Sequence, residues 1–284
     1  MHILAATDFS IRSQRAVRRA GLLAGERDAE LILVHVVDDD QPAALVDIEK
    51  REAGRYLDEQ IESLAELRGR RCRSIVAAGD PFDGILQTAK SCAADMIVMG
   101  AHRKHMLRDI LVGTTIERVI RTGHYPVLMV NREAARPYAR VLAAVDMSPP
   151  SALAIKAAKA LGLIDGTELS VVHGFHAFGS RKMSSAGVRQ DSIDGYVAKE
   201  RSQAAMELAA FLAANDFGID RSSLRIEEGN PVDVIAAAVQ ETRSDLLLVG
   251  THGRTGIVKI LLGSVTEEVL RSIEADILAV PAPR

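Results

Sequence analysis

The strongest constraint in this sequence of 284 residues is an internal repeat. The segment Ala5–Ser10 returns, with related residues, as Ala143–Ser148, which lies 138 positions further along. The segment Ala78–Asp83 returns as Glu228–Asp233, at an offset of 150 positions. Ordered matches with a single change of offset indicate that the chain contains two copies of one unit, the second longer by 12 residues.

The repeat predicts two domains, which we place at residues 1–133 and 139–284. A polar segment, Asn131–Tyr138, links them. The additional residues of the second unit fall mainly in the segment 175–195, which is rich in Ser and Gly. That composition is typical of a mobile loop, so we expect no regular element there.

Composition excludes several classes of protein. With 35 basic and 38 acidic residues the net charge is −3, and Trp is absent, so neither a nucleic acid nor a membrane surface is an expected partner. The N-terminus does not resemble a signal peptide, and no apolar run approaches the length of a membrane span. Two cysteines, Cys72 and Cys92, make a disulfide scaffold improbable. These features favour a reduced, cytoplasmic protein.

Each unit is predicted to alternate strands and helices. In the first unit we expect strands near 2–7, 31–37, 73–78, 95–100 and 126–131, and helices near 10–25, 42–68, 81–93 and 114–123. Apolar strands rich in Val, Ile and Leu that are separated by helices predict a parallel sheet covered on both faces. The fold class is therefore α/β, with two doubly wound sheets in tandem.

A glycine-rich stretch follows the fourth strand of the second unit. Its pattern is G-x2-G-x9-G-S, from Gly250 through Gly253 to Gly263 and Ser264, and a helix is predicted to begin at its end. Ligands of parallel α/β sheets bind beyond the carboxyl ends of the strands. We expect Gly263 and Ser264 to place free N–H groups at the helix start, where a phosphate binds well. The lysine of a Walker loop is missing.

These pieces, together with the repeated first strand ending in Asp146, resemble the universal stress protein family in its ATP-binding subclass. The resemblance covers both units and implies a tandem member of that family. It implies a Rossmann-like fold, similar to adenine nucleotide alpha hydrolases, with five parallel strands in the order 3-2-1-4-5 in each unit. It also implies that ATP, with or without Mg²⁺, lies across the loops after strands one and four of the second unit.

Transferred to this chain, the resemblance assigns Asp146 and Gly174 to adenine and ribose, with Val249 and Gly250 near the sugar. It assigns the phosphates to Gly253, Gly263, Ser264, Val265 and Thr266. Gly174 departs from the family, which usually has valine at this position. The complete predicted nucleotide-binding set is Val145, Asp146, Gly174, Val249, Gly250, His252, Gly253, Gly263, Ser264, Val265 and Thr266.

The first unit departs further from the family pattern, because Arg103 replaces the second glycine. Its side chain either blocks the phosphate position or binds an anion itself. We favour a weakened or altered site. The weaker candidate residues of this unit are Asp8, Val36, Gly100, Arg103, Gly113 and Thr114.

Simpler interpretations compete with these assignments. Asp8 and Asp146 are also suited to cap the helices that follow them. A metal site formed by His173, His176 and His252 is conceivable, but duplicated histidines are more often packing residues, so we expect no metal.

The sequence therefore predicts a nucleotide-responsive stress-response module that holds ATP in its second domain, with no catalytic residues assigned. A slow metal-dependent ATPase and a scaffold that binds no small molecule are the alternatives. The resemblance further implies that the two units pair through their fifth strands, Pro126–Val130 and Asp276–Val280, and leaves room for a homodimer. It identifies no protein partner.

Overall fold

The computed structural model describes residues 1–101, 114–220, 223–251 and 262–282. The first unit contains β1 (His2–Ala6), α1 (Ile11–Arg27), β2 (Glu30–Val37), α2 (Ala43–Ser63), β3 (Cys72–Ala78), α3 (Pro81–Ser91), β4 (Met96–Gly100), α4 (Thr115–Thr122) and β5 (Val127–Val130). The second contains β6 (Arg140–Ala144), α5 (Pro149–Ala160), β7 (Glu168–Phe175), α6 (Phe178–Ser185), α7 (Gln190–Ala214), β8 (Leu224–Glu228), α8 (Pro231–Thr242), β9 (Leu246–Gly250), α9 (Ser264–Ser272) and β10 (Asp276–Val280).

The predicted α/β class is confirmed, and the described strands form one continuous sheet. Its order is β3-β2-β1-β4-β5-β10-β9-β6-β7-β8. Within each unit the neighbouring strands are parallel, whereas β5 and β10 meet antiparallel at the centre, with Leu128 opposite Leu278. The two units thus share one sheet, and the strand that would be an exposed edge of each unit is covered by the other.

Alternate residues of each strand face opposite sides of the sheet, so the core has two layers. Ile3 packs in a layer beneath α1, α2, α5 and α7, and its neighbour Leu4 packs in a layer beneath α3, α4, α8 and α9. Strands that are buried on both faces consist of continuous apolar runs, and this is why the strands could be predicted from the sequence.

The local signals that start the helices are repeated in both units. Ser10 caps α1 by accepting a hydrogen bond from the Ser13 N–H, and Ser148 caps α5 in the same way. Asp80 and Asn230 cap α3 and α8, each followed by a proline in the first turn. Proline in the first turn costs the helix no hydrogen bond, because the N–H that proline lacks would have no partner within the helix.

Two predicted elements were wrong in extent. The segment 175–195, expected to be a loop, contains α6 and the beginning of α7. The Gly179 N–H donates a hydrogen bond to the Tyr196 hydroxyl, which ties α6 to the longer helix. In the first unit, α2 ends at Ser63 rather than near residue 68, because Leu64 adopts an extended conformation.

The segment between the units is anchored by a buried carboxylate at the start of β10. Asp276 is fully buried and accepts hydrogen bonds from the Tyr138 hydroxyl (2.6 Å) and from the N–H groups of Asn131 and Arg132. The Arg19 guanidinium of α1 lies 3.3 Å from the same carboxylate. These residues, which we call the Asp276 cluster, hold together α1, the linker and the last strand.

Candidate functional site

Each unit has a cavity at the carboxyl end of its first and fourth strands, where the strand order reverses. The cavity of the second unit has a volume of about 270 Å³. Its wall comes from the ends of β6, β7 and β9 and from the starts of α8 and α9. The described residues that line it are Ala144, Val145, Asp146, Ser151, Val172, His173, Gly174, Pro231, Ile235, Val249, Gly250, Gly263, Ser264, Val265 and Thr266.

The structure therefore brings nine of the eleven predicted residues of the second unit to one cavity wall. The other two, His252 and Gly253, lie outside the described residues. Six further residues line the cavity and were not in the predicted binding set: Ala144, Ser151, Val172, His173, Pro231 and Ile235. The Gly-Asn-Pro turn, which matches Gly-Asp-Pro at residues 79–81 of the first unit, was the available signal for Pro231, because it places the start of α8 at this edge of the sheet.

Asp146 shapes the turn after β6 rather than capping a helix. Its carboxylate accepts hydrogen bonds from the backbone N–H and the hydroxyl of Ser148, and Ser148 is the residue that caps α5. The simpler interpretation of Asp146 as the cap is therefore wrong. Met147, which lies between Asp146 and Ser148, has a φ of 61°, a left-handed conformation that bulky side chains rarely adopt.

The same turn is present in the first unit. The Ser10 N–H donates to the Asp8 carboxylate, Ser10 caps α1, and Phe9 has a φ of 61°. Asp8 is therefore not the helix cap either. Burial raises the pKa of Asp8, but hydrogen bonds from Ser10 and Ser13 outweigh it and hold the pKa below its usual value. Asp8 is consequently ionised at neutral pH, and an ionised carboxylate on the cavity wall can accept hydrogen bonds from hydroxyl groups.

The duplicated histidines have the same partner in both units. Nδ1 of His173 lies 2.7 Å from the Val145 carbonyl, and Nδ1 of His35 lies 2.8 Å from the Thr7 carbonyl. Because a carbonyl only accepts, each Nδ1 carries the proton and donates it. Both histidines thus join their second strand to the end of the first strand. In the described part of the chain no group of three or more His, Cys, Asp or Glu side chains is placed to hold a metal ion.

The small residue Gly174 on β7 faces a larger residue, Val234, on α8. A Cβ atom added at Gly174 would lie 3.3 Å from the Pro231 Cα and 3.7 Å from the Val234 side chain. In the first unit the arrangement is reversed: Val36 occupies the strand position, and the residue facing it from α3 is Gly84, where an added Cβ would approach Val36 to 2.7 Å. Each unit thus places one valine at this contact, on the strand in one unit and on the helix in the other.

The start of α9 forms the phosphate end of the predicted site. Gly263 is the residue before the helix, and its N–H donates to the Thr251 carbonyl at 2.8 Å. The expectation that Gly263 offers a free N–H is therefore wrong, since this group is used to fix the chain after β9. The Thr266 hydroxyl is also engaged, as a donor to the Gly250 carbonyl at 2.8 Å.

Three N–H groups remain open at this helix start. The N–H groups of Ser264, Val265 and Thr266 have no acceptor among the described residues. The side chains of Ser264 and Val265 are exposed, so a ligand can reach the first turn. Open N–H groups and the positive end of the helix dipole attract an anion.

The matching helix start in the first unit is closed by its own side chains. Thr114 caps α4, and its N–H donates to the Glu117 carboxylate at 2.9 Å, while the Glu117 N–H donates back to the Thr114 hydroxyl. The Thr-x-x-Glu sequence alone would not have distinguished this helix start, because the second unit carries Ser-x-x-Glu at the matching positions 264–267 and has no side-chain cap there. The second carboxylate oxygen of Glu117 accepts from Arg271 of α9 at 3.1 Å, across the boundary between the units.

The cavity of the first unit is nevertheless the larger one, at about 440 Å³. Of the weaker candidates, Asp8, Val36, Gly100 and Thr114 line it, whereas Arg103 and Gly113 lie outside the described residues. Arg12 of α1 also lines this cavity and was not predicted. Its counterpart in the second unit is Pro150, so the repeat gave no indication of a charged residue there.

The duplicated fold agrees with the comparison to known proteins. A model of the universal stress protein family matches residues 1–131 and, a second time, residues 137–281. The chain belongs to the universal stress protein family. It is a tandem member, with two such domains in one polypeptide.

Several relatives extend this similarity. Universal stress protein E of Escherichia coli is 25% identical over 205 residues, covering 70% of this chain and 65% of that relative, so the match spans slightly less than two thirds of its length. Universal stress protein MJ0531 of Methanocaldococcus jannaschii is 34% identical over 138 residues, covering 46% of this chain and 81% of the relative. A crystal structure of a universal stress protein from Archaeoglobus fulgidus has the same fold, with a TM-score of 0.71 at 21% identity, over 99% of this chain and 98% of that one.

No helix within the described ranges combines the length and apolar character needed to cross a membrane.

Proposed function

We propose that this universal stress protein binds ATP in the cavity of its second unit and acts as a cytoplasmic, nucleotide-responsive regulatory module. The observation that carries the proposal is the open first turn of α9, where three N–H groups without acceptors among the described residues face the end of a cavity. A polyphosphate supplies the acceptors that such a helix start lacks.

The rest of the cavity fits the base and sugar. Val145, Val249 and Ile235 give apolar surface, and the Asp146 carboxylate can accept hydrogen bonds from ribose hydroxyls. Gly250 allows close approach of the backbone, because a Cβ there would lie 2.7 Å from the backbone of Pro150. Mg²⁺, where it accompanies ATP, would be held mainly by the phosphates, as is usual for this ion.

In this proposal ATP is a ligand whose binding changes the protein. The phosphates bind at the first turn of α9, so bound ATP stabilises one arrangement of this helix start over others. Mass spectrometry of the nucleotide that remains bound during hours of incubation tests this role. Intact ATP is expected, and its steady conversion to ADP would contradict it.

The binding site itself is tested by placing a carboxylate at the first position of α9. Ser264→Glu puts a negative charge where the phosphates would lie, and Ser264→Gln is a control of equal size without the charge. A negative residue in the first helical turn favours the helix, so neither variant should reduce thermal stability. We expect Ser264→Glu to bind ATP at least roughly tenfold more weakly than Ser264→Gln in calorimetry. Equal affinity of the two variants would contradict a phosphate site at this helix.

A further inference from the structure

The cavity of the first unit is a candidate binding site in its own right. Its volume of about 440 Å³ lies within the range of small-molecule sites, and its wall repeats the base-and-sugar end of the second cavity. Asp8 stands at the position of Asp146, and His35 at that of His173, with the same hydrogen bond to the end of the first strand. The part of the site that would recognise a nucleoside is thus present in both units.

The phosphate end differs. In the second unit three N–H groups of the first helical turn are open, whereas in the first unit the Thr114 side chain takes the N–H of Glu117 and leaves only those of Thr115 and Ile116 without an acceptor among the described residues. The Glu117 carboxylate, itself 4% exposed, lies against this turn and holds the Thr114 N–H at 2.9 Å. A carboxylate at this point offsets the positive end of the helix dipole and repels a second anion.

Among the described residues of the wall, the remaining charges do not restore an anion site. Asp8 and Arg12 contribute one negative and one positive side chain to the same cavity. Arg271 neutralises Glu117 only in part, because it also binds Glu267 and its side chain is 59% exposed to water. Nothing in the described wall replaces the three N–H groups available at α9.

We propose that the first unit binds an uncharged nucleoside of the adenosine class and excludes the phosphate chain that the second unit accepts. The identity of the base rests on the proposed function of the second unit, since it is inferred from the equivalent walls. In the first unit, Val36 and Ile85 face the base, the Asp8 carboxylate accepts from the ribose hydroxyls, and the Glu117 capping box closes the position beyond the 5′ carbon. One chain would then bind both the free nucleoside, in the first unit, and its triphosphate, in the second.

Equivalent positions in the two units provide the test. Thr115 and Val265 line the two cavities at the first turn of α4 and α9, and tryptophan at either position should fill its own cavity. In calorimetry on the full chain, Thr115→Trp should lower the affinity for adenosine at least tenfold and leave ATP unchanged. Val265→Trp should lower the affinity for ATP and leave adenosine binding by the first unit unchanged.

The outcomes separate the two proposals. Loss of adenosine binding through Val265→Trp instead of Thr115→Trp overturns the inference and leaves ATP binding by the second unit intact. Absence of adenosine binding to the unaltered chain overturns it as well. Retention of ATP by Val265→Trp, with adenosine still lost in Thr115→Trp, contradicts the proposed function and not the inference about the first cavity.

A second pair of variants tests the cause of the selectivity without filling the cavity. In the Val265→Trp chain, Glu117→Gln removes the charge while glutamine can keep the capping box. It should reduce the preference for adenosine over ATP at least threefold. Arg271→Gln leaves Glu117 without its partner and should increase that preference. Two changes in the same direction, or no change in either variant, would show that Glu117 does not set the selectivity.

Discussion

The two units of this universal stress protein differ most where their folds are most alike. Both place a cavity beyond strands one and four, and both use an Asp-x-Ser turn with a left-handed central residue and a histidine bound to a backbone carbonyl. They diverge at the helix that follows the fourth strand. In one unit that helix begins with three N–H groups that have no acceptor among the described residues, and in the other it begins with a capping box.

The difference shows which features a duplicated fold retains. The shared hydrogen bonds set the path of the backbone at the sheet edge, so both copies need them to build the cavity at all. A helix start has several ways to satisfy its N–H groups, including a side chain, a neighbouring carbonyl or a ligand. It is therefore free to change from a ligand site into a self-capped end without a change of fold.

The Asp276 cluster is a second asymmetry between the units and the one with the largest expected effect on stability; it has no equivalent in the first unit, because the matching position is Pro126. Burial, followed by the Asp276 charge, raises the pKa of Tyr138 well above its usual value, so its hydroxyl stays protonated and donates. Asp276→Ala would leave the guanidinium of Arg19 buried without its counter-charge. We expect a loss of about 3–5 kcal/mol in the free energy of unfolding, measured by chemical denaturation.

Asp95→Ala is the control for this change. Asp95 also accepts a backbone N–H at a strand start, that of His2, but the side chain is exposed and stands at the position of Asp245 in the second unit. Its removal should cost less than about 1 kcal/mol. Similar losses for the two variants would mean that the units are not held together by the Asp276 cluster.

Sequence alone was sufficient for the α/β class and for the tandem family. The repeat gave the number of units, and the apolar runs gave the strands, because both are local properties of the chain. The sequence failed at segment 175–195, where Ser and Gly suggested a loop. There the contact of Gly179 with Tyr196, a residue of the following helix, supports α6.

The candidate site could be assembled from the sequence only in part. Many of the residues on its wall followed from their positions at strand ends, but the hydrogen bond from the Gly263 N–H to the Thr251 carbonyl joins residues that are not neighbours in the sequence. The contact between Arg271 and Glu117 depends on how the two units meet, and Arg271 has no special signature in the sequence. Interactions that join distant segments required the structure.

The exchange of valine and glycine at the contact between strand and helix is expected to have an effect on stability smaller than that of Asp276→Ala. Gly174→Val should crowd Pro231 and Val234 and reduce stability by about 1–3 kcal/mol. Combining it with Val234→Gly recreates the arrangement of Val36 and Gly84, so the double variant should lose less than the sum of the single variants. A double-mutant cycle by chemical denaturation measures this coupling, expected at about 0.5–3 kcal/mol. Strict additivity would show that the two positions do not compensate one another.

The smallest predicted effect bears most directly on the helix starts. Thr114→Ala removes the hydroxyl that accepts the Glu117 N–H and should cost about 1 kcal/mol in the unfolding free energy. The equivalent change, Ser264→Ala, removes no cap, because Gly263 precedes α9 and the described residues show no side-chain cap there. It should change stability by less than about 0.5 kcal/mol while weakening ATP binding by the loss of one hydroxyl. Parallel denaturation of the two variants measures the contrast between a helix start that serves the fold and one left open for a ligand. If Ser264→Ala destabilised the protein as much as Thr114→Ala, the start of α9 would be closed by its own residues, and the difference between the two units would disappear.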